Sequence, residues 1–194
     1  ILIVLIVVGI LIGNHFKNDE HNQDSSSELE SQNYTYSTIY LSSNDNVLVP
    51  LTVKYDSFSD VGQDLFYVVS LLKKDSEASN KFFNGLIPSE TKINSITLKD
   101  KTVSIDFDES FFTYEAKDEL RLLESLVWTL CDYPEIDSLI FSVDGKTIDK
   151  MLVNNTPISY PLNKKLGINN FLLTNSIMGK GERVLSYYQK EIDD

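Results

Sequence analysis

One cysteine, two histidines, five prolines and eight scattered glycines are the scarcities that bound this 194-residue chain. A single thiol, Cys131, excludes an intrachain disulfide. It follows Leu130 and lies close to Trp128 on a segment of helical pattern, which suits a small buried apolar residue. A catalytic thiol wants a histidine beside it and an electropositive setting. His15 and His21 both lie far away, in a polar N-terminal stretch. The same shortage leaves Ser104, Ser110 and Ser125 without a base, and no serine sits in a glycine-flanked elbow. The glycines at 85, 145, 167, 179 and 181 are too dispersed for a phosphate loop, and Gly179-Lys180-Gly181 lacks the strand-and-helix context. Basic side chains are few and unclustered. Seventeen Lys and Arg against 29 Asp and Glu leave a net charge of −12. Such a surface repels nucleic acid backbones and anionic headgroups, so neither is an expected partner of the folded part.

What is present is a core. Apolar residues make up 42% of the chain, with ten Phe and ten Tyr, enough for one domain of ordinary size. The densest acidic spot is Asp106-Phe107-Asp108-Glu109. Two carboxylates at i and i+2 on a strand face the same side and suit a hard cation, but no glycine-bearing ligand loop or Asn/Asp series accompanies them. Asp108 and Glu109 read better as preparing a turn into the next helix. Glu90, Asp106 and Asp108 are the carboxylates from which an acid pair acting on sugar would have to come, with no other group supporting it. No catalytic, cofactor-binding or metal-ligating residue is assigned, no cofactor is expected, and the chain reads as a non-enzyme.

Residues 1–13 open with an unbroken apolar run, Ile1 to Ile12 with Gly9 inside it. Alone it is short of the ~20 residues a spanning helix needs. The chain starts at isoleucine rather than methionine, so the run is expected to continue upstream as a truncated transmembrane anchor. No small-x-small cleavage site follows, and Asn14 stands where a lipidated cysteine would be. Lys17 against Asp19, Glu20, Asp24, Glu28 and Glu30 marks the translocated side, which places the fold outside the cytoplasm of a single-pass cell-membrane protein. Residues 14–33, polar and without periodicity, read as a disordered linker.

From Tyr34 the pattern is regular. Thr38 to Leu41 and Val47 to Tyr55 predict a hairpin, with Pro50 arguing for an edge position. Ser59-Asp60 caps a helix carrying Leu65, Val68, Val69 and Leu72 and reaching about Lys74, with Lys73 and Lys74 in its last turn. Ile93–Leu98 and Thr102–Phe107 alternate around Lys99-Asp100-Lys101, a second hairpin with Ile96, Leu98, Val103, Ile105 and Phe107 on one face. A second helix is predicted from about Glu115 to Asp132, with Leu120, Leu123, Leu126, Val127 and Leu130 as core stripe and Glu115, Asp118 and Glu119 serving its dipole. Leu139–Val143 is a strand ending in Asp144-Gly145. The predicted fold is α+β, order ββαββαβ, a single mixed or antiparallel sheet with two helices on one face. Ile148 to Asn175 reads as an extended tail along the domain, and Asn175 to Gly181 as a joint. Arg183 to Asp194 echoes Thr38 to Asp45, so residues 175–194 are expected to open a second copy of the unit.

The order of these segments, with Val47-Leu48-Val49-Pro50-Leu51-Thr52, Leu86-Ile87-Pro88-Ser89-Glu90-Thr91 and Thr102 to Phe111, resembles the GerMN domain family of sporulation and spore germination. Leu126-Val127-Trp128-Thr129-Leu130 and Ile140 to Gly145 complete the match, while Pro161-Leu162 and Ile168-Asn169 look like the family's C-terminal extension. The resemblance assigns residues 34–174 to such a domain, similar to the ring-building motif of envelope assemblies. It implies a scaffold or assembly module in sporulation or germination, partnered by other envelope or sporulation proteins or by copies of itself, and tethered to the membrane. Peptidoglycan binding or cell-wall modification is the alternative.

Overall fold

The computed structural model describes residues 34–169. β1 (Tyr34–Ser43) and β2 (Leu48–Asp56) form the antiparallel hairpin, with Tyr40 opposite Pro50. α1 (Val61–Leu71) starts at Asp60, whose carboxylate accepts the Gln63 N–H, and buries Leu65, Val68, Val69 and Leu71. It stops sooner than the periodicity predicts. Leu72 is its C-cap, and Lys73 and Lys74 lie beyond its last turn instead of inside it. A returning segment takes the helix end: the N–H groups of Leu86 and Ile87 donate to the Leu72 carbonyl at 2.9 and 3.0 Å. Lys74 N–H donates to Ile87 O at 2.7 Å. A Cβ on Gly85 would lie 2.1 Å from the Lys73 carbonyl oxygen, so this crossing requires glycine.

β3 (Phe83–Asn84) pairs with the end of β1, and β4 (Ile93–Lys99) pairs with β5 (Thr102–Phe107). Asp100 and Lys101, both at positive φ (49° and 61°), form the two-residue turn that matches strand twist. Ile96 faces Ile105 and Leu98 faces Val103, as the alternation predicts. The chain then crosses through short 3-10 turns at Glu109–Thr113 and Ala116–Asp118 into α2 (Glu119–Leu130). β6 (Ser138–Val143) returns parallel to β5, and the Asp144-Gly145 turn leads into β7 (Lys146–Thr147). Phe107, Phe111 and Phe141 are fully buried, the first two stacked with ring centroids 4.5 Å apart.

The expected single sheet is corrected. Among the described residues the strands make two sheets, ordered β2-β1-β3 and β4-β5-β6-β7. The reason lies at β1. Its second edge is taken by only two residues of β3 and then by side chains of α2. Ser125 Oγ donates to the Tyr40 carbonyl at 2.6 Å, and Tyr40 N–H donates to Thr129 Oγ1 at 3.0 Å. One turn earlier, Arg121 donates to Ser42 Oγ at 2.8 Å while pairing with Asp118. Residues 121, 125 and 129 recur at i, i+4 and i+8, a single stripe down the helix. A helix therefore completes the ladder where a strand would have joined the sheets. α2 packs on β1 and β6, α1 on β4 and β1.

Glu119, read from the sequence as a dipole residue, is 1% exposed. It accepts from the backbone N–H groups of Val153, Asn154 and Thr156, from Tyr114 Oη and from Thr156 Oγ1. Burial alone would push its carboxyl up, but the hydrogen bonds from Thr156, Asn154 and Tyr114 outweigh it and hold the group below the usual range. This carboxylate fastens the tail. Met151 is buried, Leu139 and Leu162 exchange backbone hydrogen bonds at 2.8 and 2.9 Å, and Trp128 donates to Gly167 O. The predicted extended tail is thus laid against the domain as far as Asn169, whose amide bonds both backbone groups of Leu48. No helix among the described residues is long and apolar enough to cross a membrane. The expected anchor at 1–13, linker at 14–33 and repeat start at 175–194 lie outside the described residues.

Two measurements check this account. Thr129→Val removes the acceptor for the Tyr40 N–H and should cost about 1–3 kcal/mol in chemical denaturation; a change under ~0.5 kcal/mol would reject the edge-closing role. For Glu119 the folded pKa is depressed, so its contribution is present above the unfolded value and vanishes as pH falls through the folded one. Glu119→Gln should lower stability at neutral pH by about 1.5–3 kcal/mol, the scale of a charged hydrogen bond. That gap to wild type should narrow on acidification, and an unchanged gap from pH ~7 to ~3 would contradict it.

Candidate functional site

The acids singled out in the sequence do not converge. Asp106 accepts from Ser142 Oγ, from Gly145 N–H at 2.8 Å and from Asn94 Nδ2 at 3.0 Å. The Ser142 bond, ahead of that from Asn94, holds its carboxyl below the usual range. Asp108 lies past the end of β5 and accepts the Lys92 N–H at 2.9 Å and Ser110 Oγ at 3.3 Å, so it pins the turn that precedes the 3-10 segment. The two carboxylates therefore serve different turns instead of sharing a ligand face, and no group of three or more His, Cys, Asp or Glu among the described residues is placed to hold a metal. Ser125 is committed to Tyr40, and Ser104 is exposed on β5. Cys131 is half-buried at the end of α2, and burial pushes its thiol up to about 11.

The concave feature lies elsewhere, between α1 and the outer edge of β4. It is an open groove of about 570 Å³ lined by Phe58, Asp60, Gly62, Phe66, Tyr67 and Ile96, with Gln63 and Ser70 completing the helix side. Phe66 is 47% and Phe58 41% exposed, a large apolar presence for a surface this acidic. Phe58 and Tyr67 pack with centroids 5.5 Å apart, and Tyr67 lies 4.7 Å from Tyr55. Behind these rings Ser37, Tyr55, Tyr133 and Asp64 form one hydroxyl–carboxylate network. Tyr55 and Tyr133 both donate to Asp64, at 2.8 and 3.0 Å, and Ser37 Oγ lies within 2.8 Å of each phenol oxygen. Burial pushes both phenols up, so they remain donors. Tyr67 donates to Glu77, a bond that with burial pushes its phenol up to about 12. The groove wall is thus anchored to β1, β2 and the segment after α2.

The sequence reading missed Phe58 and Phe66 because it followed the stripe of Leu65, Val68, Val69 and Leu72 into the core. The available signal was that Val61 and Phe66 stand off that stripe, where a solvated helix face would carry polar residues.

The sporulation and spore germination family, Germane, matches residues 38–149. The spore germination protein GerM of Bacillus subtilis is 35% identical over 94 residues, which cover 48% of this chain and 26% of that protein. The chain therefore spans about a quarter of the curated relative it matches. Among solved structures, the tandem GerMN domains of the sporulation protein GerM from Bacillus subtilis superpose with a TM-score of 0.65 and 26% identity, over 70% of this chain and 48% of that one. The first GerMN domain alone gives a TM-score of 0.62 at 24% identity, covering 68% of this chain and 98% of that one.

If Cys131 is a packing residue, iodoacetamide at pH ~8 should alkylate it at least ~10-fold more slowly than free cysteine, since the thiolate is scarce. Mass spectrometry of the intact chain reads this directly, and labelling at the free-cysteine rate would point to a reactive thiol.

Proposed function

The chain belongs to the sporulation and spore germination family, and from that premise we propose that it is a non-enzymatic assembly module of an extracytoplasmic envelope complex. The observation that carries this reading is the groove beside α1. It presents two half-exposed phenylalanines on a rigidly backed wall, in a chain of net charge −12. Contiguous exposed apolar area of this kind costs solubility unless a partner covers it. The carboxylates near the strands, by contrast, are consumed by turns and by the tail, which favours binding over chemistry. The apolar run at residues 1–12 supports a membrane tether, with the polar stretch to residue 33 giving reach.

A second reading draws on the same rings. Phe58 and Phe66 offer faces on which sugar stacks, so a peptidoglycan-binding or wall-modifying role is the alternative. The two part company in a paired experiment on sporulating cells: affinity capture on the full chain, and sedimentation with purified peptidoglycan. The assembly reading expects defined protein partners and background pelleting. Pelleting with the wall and no protein partner would replace it with the alternative.

A further inference from the structure

Among the described residues the sheet edges differ in length and in what covers them. β2 carries Pro50, which has no N–H to offer an incoming strand. From Tyr40 to Ser43 the second edge of β1 is closed by β3 and by Ser125 and Thr129 of α2. β7 is two residues long. β4 has seven residues, with a bulge between Ile93 and Ser95 and Lys99 at its end, and Ile96 to Leu98 lie between these two features.

The register shows which of its backbone groups point outward. Lys99 and Thr102 flank the two-residue turn and form the hydrogen-bonded pair that closes it, so the next pair, Leu98 and Val103, points its N–H and C=O groups away from each other. Ile96 and Ile105 repeat that arrangement two residues on. The N–H and C=O of Ile96 and Leu98 therefore face away from β5, and none of the four has a protein partner among the described residues. The groove lies beside Ile96, the one β4 residue that lines it, with the 62–66–70 stripe of α1 opposite. That stripe is about 12 Å long at 1.5 Å per residue. An extended segment of about four residues covers the same length.

We infer that this groove binds an extended peptide segment of a protein partner, which adds as a strand to the edge of β4 beside α1. The inference rests on the assembly reading and gives it a mode. Backbone groups of the segment pair with Ile96 and Leu98. Its alternate side chains point toward α1, one apolar side chain settling between Phe58 and Phe66. The next side chain on that face is basic. Asp60 is the one charged residue lining the groove, and no Lys or Arg lines it. One oxygen of Asp60 takes the Gln63 N–H, and the other has no partner among the described residues. With Asp60 as its one charged lining residue, in a chain of net charge −12, this end of the groove favours a cation.

The test uses the full chain and a random library of capped pentapeptides on beads. Enriched sequences should carry an apolar residue two positions from a Lys or Arg. Each backbone amide of an enriched peptide is then N-methylated in turn. Strand addition expects alternation: methylation of the amides that face β4 weakens binding at least ~10-fold, and methylation of those between leaves it unchanged. Phe66→Ala, at an exposed position, should weaken binding by ~10-fold. Asp60→Asn keeps the helix cap and should weaken it by about threefold, with less dependence on salt. No enriched sequence, or tolerance of N-methylation at every position, overturns the inference. So does a sporulation partner captured equally by wild type and Phe66→Ala, an outcome that leaves the assembly reading standing.

Discussion

The structure turns on how the edge of β1 is closed. A strand in the core must satisfy its backbone groups on both sides, and β1 receives β2 on only one. Tyr40 is where this is most acute, because its partner across the hairpin is Pro50. With both Tyr40 groups directed away from Pro50, no third strand is present to receive them. Ser125 and Thr129 do so from α2, and Arg121 extends the contact to Ser42. The rest follows from that docking. A helix that gives its 121–125–129 stripe to β1 and also packs on β6 is buried nearly all round.

Burial on every side brings charged groups inside, and each is matched. Asp118 pairs with Arg121, and Glu119 gathers donors from Tyr114 and from the 153–156 turn. A carboxylate with that many donors is stabilised as the anion, and the same bonds order a tail that has no regular structure of its own. The tail in turn shields α2 from solvent through Trp128 and Asn169. Helix, acid and tail form a closed set of dependencies, so loss of Glu119 would reach further than one turn.

Local rules were enough wherever one segment decided the outcome. The two hairpins, the Asp60 cap, the edge position of Pro50 and a strand at Leu139–Val143 were legible from alternation, turn residues and helical spacing, whereas the parallel pairing of that strand with β5 was not. What was not legible depends on contacts distant in sequence. Ser125 and Thr129 read as ordinary helix residues until β1 is placed beside them, 85 and 89 positions away. Gly85, one of the dispersed glycines in the sequence, is a contact point, demanded by the Leu72 and Lys73 carbonyls. Glu119 sat among acids that the helix dipole explained equally well. Asp106 and Asp108 shared a spacing but not a direction, because β5 ends between them. The groove was hidden for a different reason: Phe66 passes for core in any composition count, and only the helix orientation turns it outward.

That orientation also explains why one edge stays open. α1 is held by Leu65, Val68 and Val69 in the core and by Gly85 crossing its end, so its free face cannot rotate away from β4. A Cβ at Gly62 would lie 3.8 Å from the Ile96 carbonyl oxygen, which shows how near the helix start comes to the strand without covering it. Near enough to wall a groove, α1 makes no hydrogen bond to the backbone of Ile96 or Leu98. β4 thus offers a short stretch of pairing backbone beside Phe58 and Phe66. Exposed pairing groups are an aggregation hazard, and a chain of net charge −12 repels like copies and attracts a segment of opposite sign. The acidity of this chain, which at first excludes partners, is then what selects among them.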